Sequence, residues 1–360
     1  MGELTSPDVG ANPGRTVPPA HGPAPTPDGA GAGSGMPAPP DAGELRAGRS
    51  RASGRGTLRV LASTLPVVIG VVVAVFFLIR LVPGDPARAI LGDQATDDAV
   101  ATLRSDLGLD QPLPAQFGDF LGTLVTRADT GESLFYEVSS RELVLGRAGL
   151  TLTLVAVAAV LTILIVVPLA ILAATRRGSL TDHLVRIVPT IGLSMPIFWI
   201  GMLLALLFSH RLGWLPPGGD GDGLRSLLLP AASIAITIAP TLIRSLRAQL
   251  VEVLDADFVT TARAAALPRR RVLGVHVLRN AAAPTLSLFG LNISLMIGGT
   301  LVVERVFDLD GIGTLLFEAA GNRDYPLVQA ITLFSALVVI VASVLTDLLV
   351  TWLDPRGTDR

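Results

Sequence analysis

Six stretches of this chain carry no charged residue over a length that can cross a lipid bilayer. They are 60–79, 148–175, 187–209, 226–243, 280–303 and 325–346, of 20, 28, 23, 18, 24 and 22 residues. About 20 apolar residues, rising about 1.5 Å each, span the ~30 Å hydrocarbon core of a membrane. Composition agrees: half of the 360 residues are hydrophobic and 16% are charged, against about 25% in soluble domains. The expected fold is an all-α membrane protein with six transmembrane helices. The fourth stretch is the shortest and carries Pro230 and Pro240, so it fits the pattern least well.

Residues 1 to 45 are rich in Pro, Gly and Ala and almost free of large apolar side chains. Such a segment buries too little surface to offset its ordering entropy, so 1–56 is expected to be a disordered tail and 57–356 the transmembrane domain. The tail lacks the apolar run behind a basic start that marks a signal peptide. Arg46, Arg49, Arg51, Arg55 and Arg59 form a basic collar before the first stretch. Arginine placement favours cytoplasmic N- and C-termini. It puts 81–147 outside the cell as a long loop and 244–279 inside. Within the outer loop, Thr96 is placed to cap a helix with Asp97 and Asp98 in its first turn, and Gly108 to end it. Pro114 is placed to open a second helix with Phe117, Phe120, Leu121 and Leu124 on one face.

Several chemistries are excluded. Cysteine is absent, which removes disulfides, thiol catalysis and Cys-ligated metal. The four histidines are widely spaced, and none has a metal-ligand pattern, so no metal site is expected. Every basic residue is Arg. Without a lysine no Walker A loop can be built, so the chain cannot be a P-loop ATPase by itself. No Ser/His/Asp set is visible and no catalytic residue is assigned; the chain is not expected to be an enzyme. The six stretches hold none of the acidic residues that proton- or sodium-driven carriers use, which counts against secondary transport. A nucleic-acid partner is not expected.

Between the fourth and fifth stretches, residues 257–284 read "DFVTTARAAALPRRRVLGVHVLRNAAAP". Asp257 is placed to cap a short helix over 258–266, which Leu267-Pro268 breaks. Pro268 suits the first turn of a second helix, with Val272, Val275 and Arg279 on one stripe and Leu273 and Val277 on its neighbour. The alanines from Ala262 to Ala266 would let a partner backbone come close, with Phe258 as an anchor beside them. A plain basic loop obeying the positive-inside rule is the other reading of these residues.

The order of residues in this stretch resembles the cytoplasmic EAA loop of binding-protein-dependent ABC-transporter permeases, in the branch that imports dipeptides, oligopeptides and nickel. The matching positions are Ala262, Arg263, Ala264, Leu267, Arg270, Arg271, His276, Arg279, Asn280, Ala281 and Pro284. Ala266 departs from the pattern, since the family has Gly there; alanine is disfavoured if the turn needs φ > 0. Similar segments recur in family order: "LVPGDPARAILGDQ", "ADTGESL", "PIFWIGMLLALLFSHRLGWLPPGG", "VVERVFDLDGIGTLLFEAAGNRDYPLVQA" and "DLLVTWLDPR". The resemblance covers about residues 58–356.

The resemblance implies a multi-pass subunit of the bacterial inner membrane. It assigns Asp257, Phe258, Ala262, Arg263, Ala264, Ala266 and Leu267 to a coupling helix docked on an ATPase. The implied partners are a second related permease, two ABC ATPase subunits holding ATP and Mg, an external substrate-binding lipoprotein and membrane lipid. A channel or secondary transporter working without ATPases is the alternative. Ser194, Pro196 and Phe198 in the third stretch, next to Met195 and Trp199, and Asn292 and Ser294 in the fifth, are candidates for the translocation path or for ordinary helix packing. Glu304, Arg305, Asp308 and Asp310 are candidate outer contacts for a docked protein, or part of a plain loop.

Overall fold

The computed structural model describes residues 65–77, 86–92, 95–106, 108–219 and 221–353. The expectations for the 1–56 tail and its arginine collar lie outside these residues. Among the described residues every regular element is helical, and the one strand-like pairing is an antiparallel bridge between Glu132 and Ser139.

The described residues begin with the apolar helix α1 (Leu65–Phe77), then α2 (Pro86–Leu91), α3 (Asp97–Asp106) and α4 (Leu113–Arg127). Helix α3 starts as the sequence suggests: the Thr96 hydroxyl accepts the Ala99 N–H at 3.3 Å, and Asp97 and Asp98 occupy the first turn. Gly108, at φ +65°, ends the segment. Pro114 sits in the first turn of α4, where its missing N–H leaves no bond unmade. Phe117 and Phe120 of α4 lie 4.9 and 5.6 Å from the Phe76 ring of α1.

Four later helices are long and apolar enough to cross a membrane: α5 (Ser140–Thr175), α8 (Leu224–Leu254), α11 (Leu278–Val306) and α13 (Tyr325–Leu353). They contain the second, fourth, fifth and sixth charge-free stretches. The first stretch extends beyond the described residues, and α1 is the part of it that is seen. The third is not one helix. It divides into α6 (Leu180–Leu193) and α7 (Ile197–Leu204), which continues through π-helical turns at Ala205–Arg211; the two halves are bent by 106°. Pro196 stands at the break, where it has no N–H to give a helix and disfavours the α region at Met195.

The short, proline-bearing fourth stretch proves to be the centre of the bundle. Helix α8 runs 31 residues, unbroken through Pro230 and Pro240, and lies against α5, α6, α7 and α11. Leu227, Ile234, Ile238, Leu242, Leu246 and Leu250 recur at helical spacing along its buried face. The facing stripe of α5 is small: Ala158, Ala170 and Ala173 are fully buried. Small side chains let two backbones approach closely, and van der Waals contact at that interface holds membrane helices together where lipid is as apolar as they are.

At the end of the bundle where α5 begins, α12 (Ile312–Gly321) folds back between α11 and α13. Asp324, fully buried, ties this end to the 129–139 loop: one carboxylate oxygen accepts the Ser133 hydroxyl and the Phe135 N–H, and the other accepts Leu327 N–H at the start of α13. Tyr136 donates to Glu318 at 2.9 Å, and burial together with that carboxylate pushes the Tyr136 phenol up. Arg147 pairs with Asp310 at 3.2 Å and with Glu318 at 3.3 Å.

Candidate functional site

At the opposite end, only Asp255 and Ala256 separate α8 from α9 (Asp257–Ala264). Ala256, extended at φ −75° and ψ 147°, holds the cap position, and no side chain caps the helix. Asp257 is therefore not the cap expected of it. The tight exit from α8 shifts the register by one, and Asp257 falls inside the first turn, where its charge still suits the helix dipole. Val259 is fully buried, and Ala262 and Leu267 pack on the same hydrophobic core. Asp257, Phe258, Arg263, Ala264 and Ala266 remain exposed. The alanine run thus has two faces, and Ala262 belongs to the inner one.

Helix α9 ends in a Schellman motif. The Leu267 N–H bonds to Ala262 O at 3.3 Å and the Ala266 N–H to Arg263 O at 3.0 Å, with Ala266 at φ +56°. This is the left-handed turn that glycine makes freely; alanine holds it at a cost of about 1 kcal/mol. Leu267 then folds back onto the core beside Ala262.

Pro268 caps α10 (Arg269–Arg271) and does not enter its first turn. The chain then widens into π-helical turns at Val272–Val277 before joining α11. The expected stripes do not survive this widening. In a π-helix residues five apart share a face, so Val272 and Val277 are buried together while Val275 is exposed. Arg269, Arg270 and Arg271 all point away from the bundle, and Asn280 bonds back to His276 O at 2.6 Å.

Beside this loop lies a charged contact that the sequence pattern did not single out. Asp182, near the start of α6, is 1% exposed and receives both arms of the Arg247 guanidinium of α8, Nε at 2.6 Å and Nη2 at 2.7 Å. It also accepts the Gly178 N–H at 3.0 Å, and Arg186 stands 3.6 Å away. Arg177 and Asp255 form an exposed pair at 3.0 Å next to it. The available signal was that Asp182 and Arg247 each lie just beyond a charge-free stretch, at ends the topology brings together.

The candidate path residues are dispersed. Ser194 is the C-terminal cap of α6 and Pro196 the N-terminal cap of α7, so both sit at the bend. Arg186, Ile187, Thr190, Ile191 and Ser194 line a groove along α6. Phe198 is exposed on α7, and Asn292 and Ser294 are half-buried on α11, Asn292 bonding to Leu288 O of its own helix at 2.7 Å. Helices α7 and α11 meet at Ile197 and Gly299. At the α12 end, Glu304 is fully buried and so cannot contact a docked protein; Arg305, Asp308 and Asp310 are exposed. Thr151 and the amides of α12 require the Glu304 carboxylate inside.

Residues 166–358 match the family model described as binding-protein-dependent transport system inner membrane component, and residues 56–135 match its N-terminal counterpart. The chain belongs to this family of permeases. The permease is a transport component and not an enzyme, and it is a protein of the inner membrane. It is 37% identical over 306 residues to a putative peptide transport system permease protein of Brucella abortus (strain 2308), an alignment covering 83% of this chain and 97% of that one. It is 33% identical to the oligopeptide transport system permease protein AppB of Bacillus subtilis (strain 168), over 83% and 98% of the two chains. It is 36% identical to the glutathione transport system permease protein GsiC of Salmonella typhimurium, over 83% and 97%. Among solved structures, the permease resembles a chain of the inward-facing MetNI methionine ABC transporter, with a TM-score of 0.50, 15% identity, and coverage of 59% of this chain and 96% of that one. That likeness is one of fold.

Proposed function

We propose that this permease is the membrane subunit of an ATP-driven importer of dipeptides, oligopeptides or a related small solute such as nickel, moved between inward- and outward-open states by separate ATPase subunits. The names of its relatives, which transport peptides, oligopeptides and glutathione, support the substrate class. On this reading two ATPase subunits supply ATP and Mg, a second related permease completes the pathway, and an extracytoplasmic binding protein delivers solute. Both termini and the 244–279 loop lie in the cytoplasm, and 81–147 faces outward.

The observation that carries the ATPase contact is the two-sided build of α9. Val259, Ala262 and Leu267 fix it to the core, while Phe258, Arg263 and Ala264 stand free on its outer side. A rigid helix with an aromatic anchor beside a small side chain fits a groove on another protein, and a push on it reaches the bundle without being absorbed by loop motion. The break at Ser194–Pro196, with Phe198, Asn292 and Ser294, is proposed to face the solute path.

The test is Ala264→Glu. A long charged side chain at that position should release the ATPase subunits from the purified complex and lower solute uptake at least about tenfold, while the protein still inserts in the membrane. Normal uptake and retained ATPase subunits would sink the docking role.

A further inference from the structure

Helix α6 is poorly anchored for a helix at the inner flank of a bundle. Of its 14 residues only Asp182 and Val185 are buried, and Leu180, Leu184, Ile187, Val188 and Ile191 all face outward. Its far end is the sharp break at Ser194–Pro196. The near half is held to the bundle by Val185, which packs on the core, and by the two-armed contact between Asp182 and Arg247 at 2.6 and 2.7 Å. The exposed Arg177–Asp255 pair adds little, as solvent screens it.

Arg247 lies two turns before the end of α8, and α8 passes through Asp255 and Ala256 directly into α9. A continuous rigid path therefore runs from α9 to α8, through Arg247 to Asp182, and along α6 to the bend. A buried ion pair holds two helices no more tightly than a well-packed apolar pair would. What the parallel pair of N–H···O bonds adds is a fixed distance and angle between the two backbones.

We infer that Asp182 is a positioning residue for transport, transmitting displacement of α9 into α6 and so to the hinge at Ser194–Pro196. The inference rests on the reading of α9 as the ATPase contact. Apolar packing alone would let α6 slide on α8 as α9 moved; the paired guanidinium and carboxylate make α6 follow.

The experiment uses the complete transporter, with its ATPase subunits and binding protein, in proteoliposomes. With Asp182→Asn, ATPase subunits should copurify as before and ATP hydrolysis should stay within about twofold, while solute taken up per ATP falls about tenfold or more. A second variant, Asp182→Leu with Arg247→Met, restores packing without fixed geometry. It should regain thermal stability and remain uncoupled. An unchanged uptake-to-ATP ratio in Asp182→Asn, or recovery of that ratio in the apolar pair, overturns the inference. The Ala264→Glu variant separates the two readings: retained ATPase subunits and normal uptake there sink the docking reading itself. Uncoupling by Ala264→Glu alongside a normal ratio in Asp182→Asn removes only the role given to Asp182.

Discussion

The Thr151 hydroxyl of α5 donates to the Glu304 carboxylate of α11 at 2.7 Å and accepts the Ile312 N–H of α12 at 2.9 Å. The other Glu304 oxygen accepts the Thr314 N–H at 3.0 Å. A fully buried carboxylate is thus seated on the first turn of α12, where free amides and the helix dipole both favour negative charge. Three helices meet at one side chain.

Glu304→Ala should therefore destabilise the protein by about 3 kcal/mol or more, because each buried donor left without a partner costs about 1–3 kcal/mol. Glu304→Gln should fall between the unsubstituted protein and Glu304→Ala, since its amide nitrogen must face a donor. Thermal unfolding in detergent measures both, and an unaltered midpoint for Glu304→Ala would refute the seat.

The two glycines of the "GIG" segment let α12 press against α11, Gly311 on the Glu304 carboxylate and Gly313 on the Leu301 backbone. A Cβ on Gly311 would overlap the Glu304 side chain, and one on Gly313 would stand 2.5 Å from the Leu301 Cα. A side chain can shift and a backbone cannot, so Gly313→Ala should be the worse of the two, costing about 3 kcal/mol against about 1–2 for Gly311→Ala. The comparison of yields of folded protein from membranes checks the order.

Ala266 occupies a left-handed turn at φ +56°. Ala266→Gly should stabilise the end of α9 by about 0.5–1 kcal/mol, and Ala266→Val should destabilise it, since a β-branched residue tolerates positive φ least. Hydrogen exchange at the Leu267 amide, which bonds to Ala262 O, reports the change: slower in the first variant and faster in the second.

Gly290 of α11 and Thr346 of α13 mark a close helix crossing, where a Cβ on Gly290 would lie 2.7 Å from the Thr346 hydroxyl oxygen. Gly290→Ala should cost about 1–3 kcal/mol. Adding Thr346→Ala should recover part of it, because that change removes the hydroxyl and methyl but leaves the Thr346 Cβ, itself 2.8 Å from the new atom. A double-mutant cycle showing strict additivity would mean the two helices do not touch there.

Much of the helix inventory was legible in the sequence. Charge-free runs predicted the helices of α5, α8, α11 and α13, and local chemistry at Thr96, Gly108 and Pro114 placed the ends of α3 and α4. The importance of α8 was not legible, because its run is shortened by Arg244 and Arg247, and a run length says nothing about how many neighbours a helix has. The α9 loop was found by residue order, yet its capping residue was misplaced by one and Ala262 turned inward, since caps and faces depend on how the preceding helix releases the chain. The dispersed segments holding Ser133 and Asp324 were each visible, but that one bonds to the other was not.

Sequence alone determined that this is a helical membrane protein of a recognisable family, because burial in lipid forces apolar runs into helices and those runs are read directly. It did not determine where a helix breaks: Pro168, Pro189, Pro230, Pro240 and Pro284 all lie inside helices, while the chain bends at Pro196. Only the tertiary structure decided which buried polar groups pair. Asp182 with Arg247 and Thr151 with Glu304 stand 65 and 153 residues apart, and no local rule links them. They meet because α8 packs against α6 and α11 against α5, and a buried charge must then find whatever partner that packing brings within reach.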